Sequence, residues 1–92
     1  MTDHLSRIIA DSFKQIPQVR SICAKLGDGD DMTVWTLLES YDRDAREKVY
    51  EKELAVCASL HVYDFDFRVT SIALVRPKEL VEGGFREVYR RT

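Results

Sequence analysis

The sequence predicts a small α/β domain with a mixed sheet, two layers deep, in the order α-β-β-α-β-β. Three observations carry that prediction. The stretch MTVWTLLES, YDRDAREKVYEKELAVCASLH and VYDFDFRV, from Met32 to Val69, reads as strand, amphipathic helix and strand. A strand–helix–strand run of this length is a crossover, which joins parallel strands of one sheet by a right-handed path. A helical stripe precedes it, and a short closing segment follows it, so helices and strands share one core. At 92 residues the chain is expected to form one domain, 1–92, with a single core.

The elements follow from local pattern. Leu5, Ile8, Ile9, Phe13 and Ile16 recur at three-and-four spacing and form one helical stripe. Thr2 or Asp3 can cap this helix through a side-chain oxygen, and Pro17 ends it by disfavouring helical geometry in the residue before. Val19, Ile22, Cys23, Ala24 and Leu26 make a first strand. GDGDD then turns the chain, with Gly27 and Gly29 free to take positive φ and the aspartates bonding their own backbone. In the next strand Met32, Val34 and Leu38 lie on one face and Trp35 and Leu37 on the other. Burial on both sides marks an interior strand, hairpin-paired with the first across about five residues.

Asp42 or Asp44 can cap the main helix, and Asp44 with Glu47 has the spacing of a capping box. Ala45, Val49, Val56 and Leu60 share its apolar face, flanked by Tyr50, Leu54 and Cys57. In VYDFDFRV the residues Tyr63, Phe65, Phe67 and Val69 point one way and Asp64, Asp66 and Arg68 the other. The phase changes at Ile72 and Leu74, which predicts a bulge or bend near Thr70–Ser71. Pro77 suits the first position of a short helical turn through Val81. Gly83–Gly84 turns the chain into a last strand with Phe85 and Tyr89 on one face. Trp35, Leu37, Val49, Val56, Phe65 and Phe67 are the expected core.

Composition narrows the function. A formal charge of −2 lacks the basic excess of a nucleic-acid binder, so nucleic acid is a disfavoured partner. No window approaches the roughly 18 consecutive apolar residues of a membrane span. The N-terminus is charged and amphipathic, without the apolar core of a signal peptide. The expected setting is a reducing cytoplasm, with Cys23 and Cys57 as free, buried thiols. Cys23, Cys57, His4 and His61 lack zinc spacing, and GDGDD lacks the ligand pattern of a calcium loop. No nucleophile-elbow motif supports a Ser–His–Asp arrangement around Ser12 or Ser21 and His61. No catalytic residue, metal site or cofactor is therefore expected.

The element order does, however, resemble the minimal nucleotidyltransferase family. There a Gly-Ser follows the first strand, an Asp-x-Asp opens the second, and a third aspartate lies on the strand after the helix. The resemblance spans Leu5 to Val69. It implies that three carboxylates hold two Mg²⁺ ions around a nucleoside triphosphate. Gly27 stands at the glycine, but Asp28 replaces the serine. Asp31 matches the first aspartate, Thr33 stands at the second, and Asp66, or alternatively Asp64, matches the third. Without a carboxylate at Thr33 the ions lose a bridging ligand. The resemblance thus implies a degenerate, non-catalytic member, retaining at most nucleotide or Mg²⁺ binding.

Asp31, Asp64, Asp66 and Arg68 are the candidate ligand-binding residues, because alternating charges on one strand face can line a polar cleft. Exposure to water with Arg68 between counter-charges is the plainer reading of the same pattern. The leading functional expectation is a small interaction or regulatory domain whose partner is a protein. That partner is another chain or a second copy forming a homodimer, since a domain this small gains stability by pairing. Tyr41, Tyr63, Phe85 and Tyr89 suit such an interface.

Overall fold

The computed structural model describes the backbone of residues 2–91 and the side chains of residues 4–91. Seven elements follow one another: α1 (Thr2–Phe13), β1 (Val19–Leu26), β2 (Asp31–Leu38), α2 (Arg43–Ser59), β3 (Asp64–Ser71), α3 (Pro77–Glu82) and β4 (Arg86–Arg90). The four strands form one mixed sheet in the order β3-β2-β1-β4. β1 is antiparallel to β2 and β4, whereas β3 is parallel to β2. The predicted fold class therefore holds, with α3 as a further short helix at the turn expected after Pro77.

α1 and α2 cover one face of the sheet. Leu5, Ile9 and Phe13 of α1 and Ala45, Val49 and Val56 of α2 join Ile22, Ala24, Val34 and Leu38 in the core. The Phe13 and Phe67 rings lie 5.9 Å apart, which ties α1 to β3. Asp42 is the cap of α2, accepting from the Ala45 amide at 2.8 Å. Asp44 is therefore inside the helix, where it pairs with Lys48 at 3.1 Å instead of forming a capping box. The expected cap of α1 at Thr2 or Asp3 lies outside the described side chains.

The other face is crossed by the connection from β3 to β4. A right-handed path at both crossovers puts α2 and α3 on opposite faces, because the two connections run in opposite directions along the sheet. Burial agrees: Ser21, Cys23 and Leu37 alternate away from the helical core yet are inaccessible to water. α3 packs against β1 and β4. Lys25 fastens its end by donating to the Gly83 carbonyl at 3.1 Å and lying over the Phe85 ring. Gly84 at φ 96° makes the turn that follows, a conformation L side chains rarely adopt.

Several expectations are corrected. Only Gly29 of the first turn has positive φ, at 61°, because the Gly27 amide already closes the hairpin by donating to Asp31. β3 carries no bulge: its register with β2 runs unbroken to Ser71. The hydrophobic phase changes there because the strand ends, and Ser71 accepts the amides of Leu74 and Val75 in a turn. Leu37, Val49 and Val56 are buried as expected, whereas Trp35, Phe65 and Phe67 are half-buried. β3 is an edge strand, so its aromatic residues have a partner on one side only. Cys57 is exposed, because it lies on the outer side of α2; Cys23 is buried, and both thiols are free.

Candidate functional site

The parallel register of β2 and β3 sets Asp31 beside Asp64, Thr33 beside Asp66 and Trp35 beside Arg68. All of these point away from the helical core. Asp31, Thr33, Asp64 and Asp66, with Met32 and Phe65, line a recess of about 250 Å³. The structure thus brings three of the four candidate residues to one place. Arg68 stands outside the recess and reaches back to Asp66, donating from Nε and Nη2 to Oδ2 at 3.2 and 3.1 Å. Its guanidinium also lies 5.7 Å from the centre of the Trp35 ring. Among the described residues, no three His, Cys, Asp or Glu side chains are gathered closely enough to hold a metal ion. Strand pairing alone explains this spread, since the carboxylates sit at successive rungs of an open ladder. What the recess offers is a row of negative charge, with Asp66 partly neutralised.

A second, larger groove of about 530 Å³ runs between α2 and the outer side of β3. Tyr41, Val49, Tyr50 and Val69 give it apolar walls, and Arg46 lies over the Tyr41 ring at 5.0 Å. Glu53 also lines it, and burial pushes that carboxyl up to about 7. Tyr50 and Leu54 on the same side of α2 are 62 % and 55 % exposed. Sequence reasoning placed these residues only as flanks of the helix face. Their signal was the width of the apolar stripe, which is broader than one packed surface needs.

A polar group is enclosed on the face beneath the α3 connection. The buried Ser21 hydroxyl donates to Glu87, which also accepts from Arg90 at 2.7 Å. Cys23 beside them has its thiol pushed up to about 11, chiefly by burial, so it stays protonated and unreactive at neutral pH. These residues satisfy one another and hold β4 to β1. Arg90 and Arg91 have separate roles. Arg91 donates to the Lys14, Ile16 and Val19 carbonyls and fastens β4 to the α1–β1 turn.

Comparisons with protein-family models, curated proteins and solved structures returned no match. No helix among the described residues is long and apolar enough to cross a membrane.

Proposed function

We propose that this chain is a small non-catalytic interaction or regulatory module that binds a polypeptide strand along β3. The observation that carries this reading is the difference between the two edges of the sheet. β4 is five residues long and bulged at Val88, where its register with β1 shifts. Short, bulged edges resist pairing with other chains. β3 is eight residues long, unshifted and free of proline, and it borders the apolar groove beside Tyr50. Such an edge offers backbone groups for strand addition and side-chain pockets for specificity.

A second reading is a nucleotidyltransferase-like domain that retains nucleotide or Mg²⁺ binding. It is favoured by the shared recess of Asp31, Asp64 and Asp66. It is weakened by Thr33 at the rung beside Asp66 and by the Arg68 contact, which occupies one carboxylate. Amide chemical shifts recorded during titration with Mg²⁺ and ATP test the choice. The interaction reading expects residues 31–33 and 64–66 to stay unmoved at millimolar ligand. Saturable shifts confined to those residues would establish the second reading in its place.

A further inference from the structure

Resting on the reading of β3 as a docking edge, we infer that its occupant is a second copy of this chain. The two β3 strands join antiparallel about a two-fold axis through Phe67. The Asp64 amide donates to the Asp30 carbonyl and the Ile72 amide to the Leu38 carbonyl. Even-numbered residues of β3 therefore turn their backbone groups toward β2, and Phe65, Phe67 and Val69 turn theirs outward. Centred on Phe67, these three residues form about six backbone hydrogen bonds between copies.

Charge selects this register. With the axis at Phe67, Asp66 lies directly opposite the partner's Arg68, and the reciprocal pair forms by symmetry. Asp64 then faces the partner's Thr70. Moving the axis to Asp66 sets that carboxylate against its own mate, and moving it to Arg68 sets two guanidiniums together. Like charges directly opposite oppose strand pairing, and unlike charges favour it. The Asp66–Arg68 contact within one chain is exposed, so exchanging it for the intermolecular pair leaves no buried charge alone.

The helices fit the same axis. α2 connects β2 to β3 and packs on β3, so the two-fold axis sets the two α2 helices side by side on one face of the joined sheet. Tyr50 and Val69 line one groove. Two residues back along β3, about 7 Å, corresponds to about one turn along α2. That turn carries Glu53, which lines the same groove. Dimerisation thus covers Tyr50, the exposed aromatic residue of this groove.

Sedimentation equilibrium of the full chain tests this, with circular dichroism to verify folding. The wild type should be a dimer. Asp66→Arg and Arg68→Asp, both at exposed positions, should each weaken dimerisation at least tenfold, because each sets like charges across the axis. An equimolar mixture of the two variants should restore a one-to-one dimer, and the double variant should dimerise as the wild type does. A monomeric wild type up to about 1 mM (a Kd weaker than about −4 kcal/mol of binding) overturns the inference. So does a dimer indifferent to both single substitutions. A monomer with an unresponsive acidic recess rejects only this dimer. A dimer whose recess titrates with nucleotide rejects the interaction-module reading instead.

Discussion

Thr33 stands beside Asp66 across the parallel β2–β3 ladder, on the face of the sheet turned away from the helical core. Two-metal phosphoryl transfer needs a carboxylate at such a rung, because each ion must neutralise charge developing on a transferring oxygen. A hydroxyl supplies neither the charge nor a bridge. Incubation with labelled nucleotides, Mg²⁺ or Mn²⁺ and a cell lysate should label neither the protein nor another component. Reproducible labelling that Asp31→Asn or Asp66→Asn removes would reverse this expectation.

The position of a strand within the sheet decides what its side chains contribute. Leu37 on the central strand β2 is fully buried, whereas Phe65 on the edge strand β3 is half-buried. Leu37→Ala should cost about 3–4 kcal/mol, within the usual range for a buried leucine. Phe65→Ala should cost less, about 2 kcal/mol, because part of its ring already meets water. Urea denaturation of both variants gives the order. A larger loss at Phe65 would show that β3 is covered in solution, as pairing of two copies requires, so the comparison belongs at high dilution.

That contrast also marks how far the sequence could be read. Period-two alternation in Asp64–Ser71 and the three-and-four stripe of Leu5, Ile9 and Phe13 fix element type and buried face, since both are local properties of the chain. Strand order is not local. Nothing in VYDFDFRV distinguishes an edge strand from an interior one, so the half-burial of Phe65 and Phe67 was hidden. The second crossover was hidden for the same reason. Cys23 reads as part of an apolar run and Ser21 as a gap in it, and only α3 and its flanks, closing over that face, account for the burial of both. Of the candidate site, the shared face of Asp64, Asp66 and Arg68 was legible. The alignment of Asp31 with Asp64 instead of Asp66 depends on the register of two strands 33 positions apart in the ladder pairing.

Thr36 is fully buried in the middle of β2, and its hydroxyl oxygen has no hydrogen-bond partner. Its neighbours across β1 and β3 are Ile22 and Val69. A buried hydroxyl without a partner costs about 1–3 kcal/mol relative to an apolar group of the same shape. Thr36→Val should therefore raise stability by about 1 kcal/mol and move the urea midpoint upward. An unchanged or lower midpoint would mean that a bound water satisfies the hydroxyl.

The two thiols should behave differently. Cys57 is exposed on α2, whereas Cys23 is buried with its thiol pushed up to about 11. An aromatic disulfide reagent at pH 7.5, with the protein dilute, should modify one thiol promptly. The second should react only after denaturant is added, because thiolate formation requires exposure of β1. Prompt reaction of both would show that the α3 connection opens readily from the sheet.

Glu53 gives the stability of the fold a definite pH dependence. Burial against the α2–β3 groove raises its carboxyl from 4.5 in the unfolded chain to about 7 in the folded one. Between these values the folded protein holds a proton that the unfolded chain has released, so stability falls as pH rises through this window. Below it both states are protonated, and the residue contributes no pH dependence. Above it the full penalty of a half-buried carboxylate is present. After discounting for its remaining contact with water, that penalty is about 1–2 kcal/mol, or several degrees in Tm for a domain of this size. Glu53→Gln removes the titration while keeping the shape of the side chain. The variant should unfold at a higher temperature than the wild type at pH 8, and the difference should shrink to nothing by about pH 4. Equal Tm values across the whole range would show that Glu53 reaches water when ionised. An advantage that instead grew as the pH fell would require a cation beside the carboxylate, with Arg46 of the same groove the first to replace.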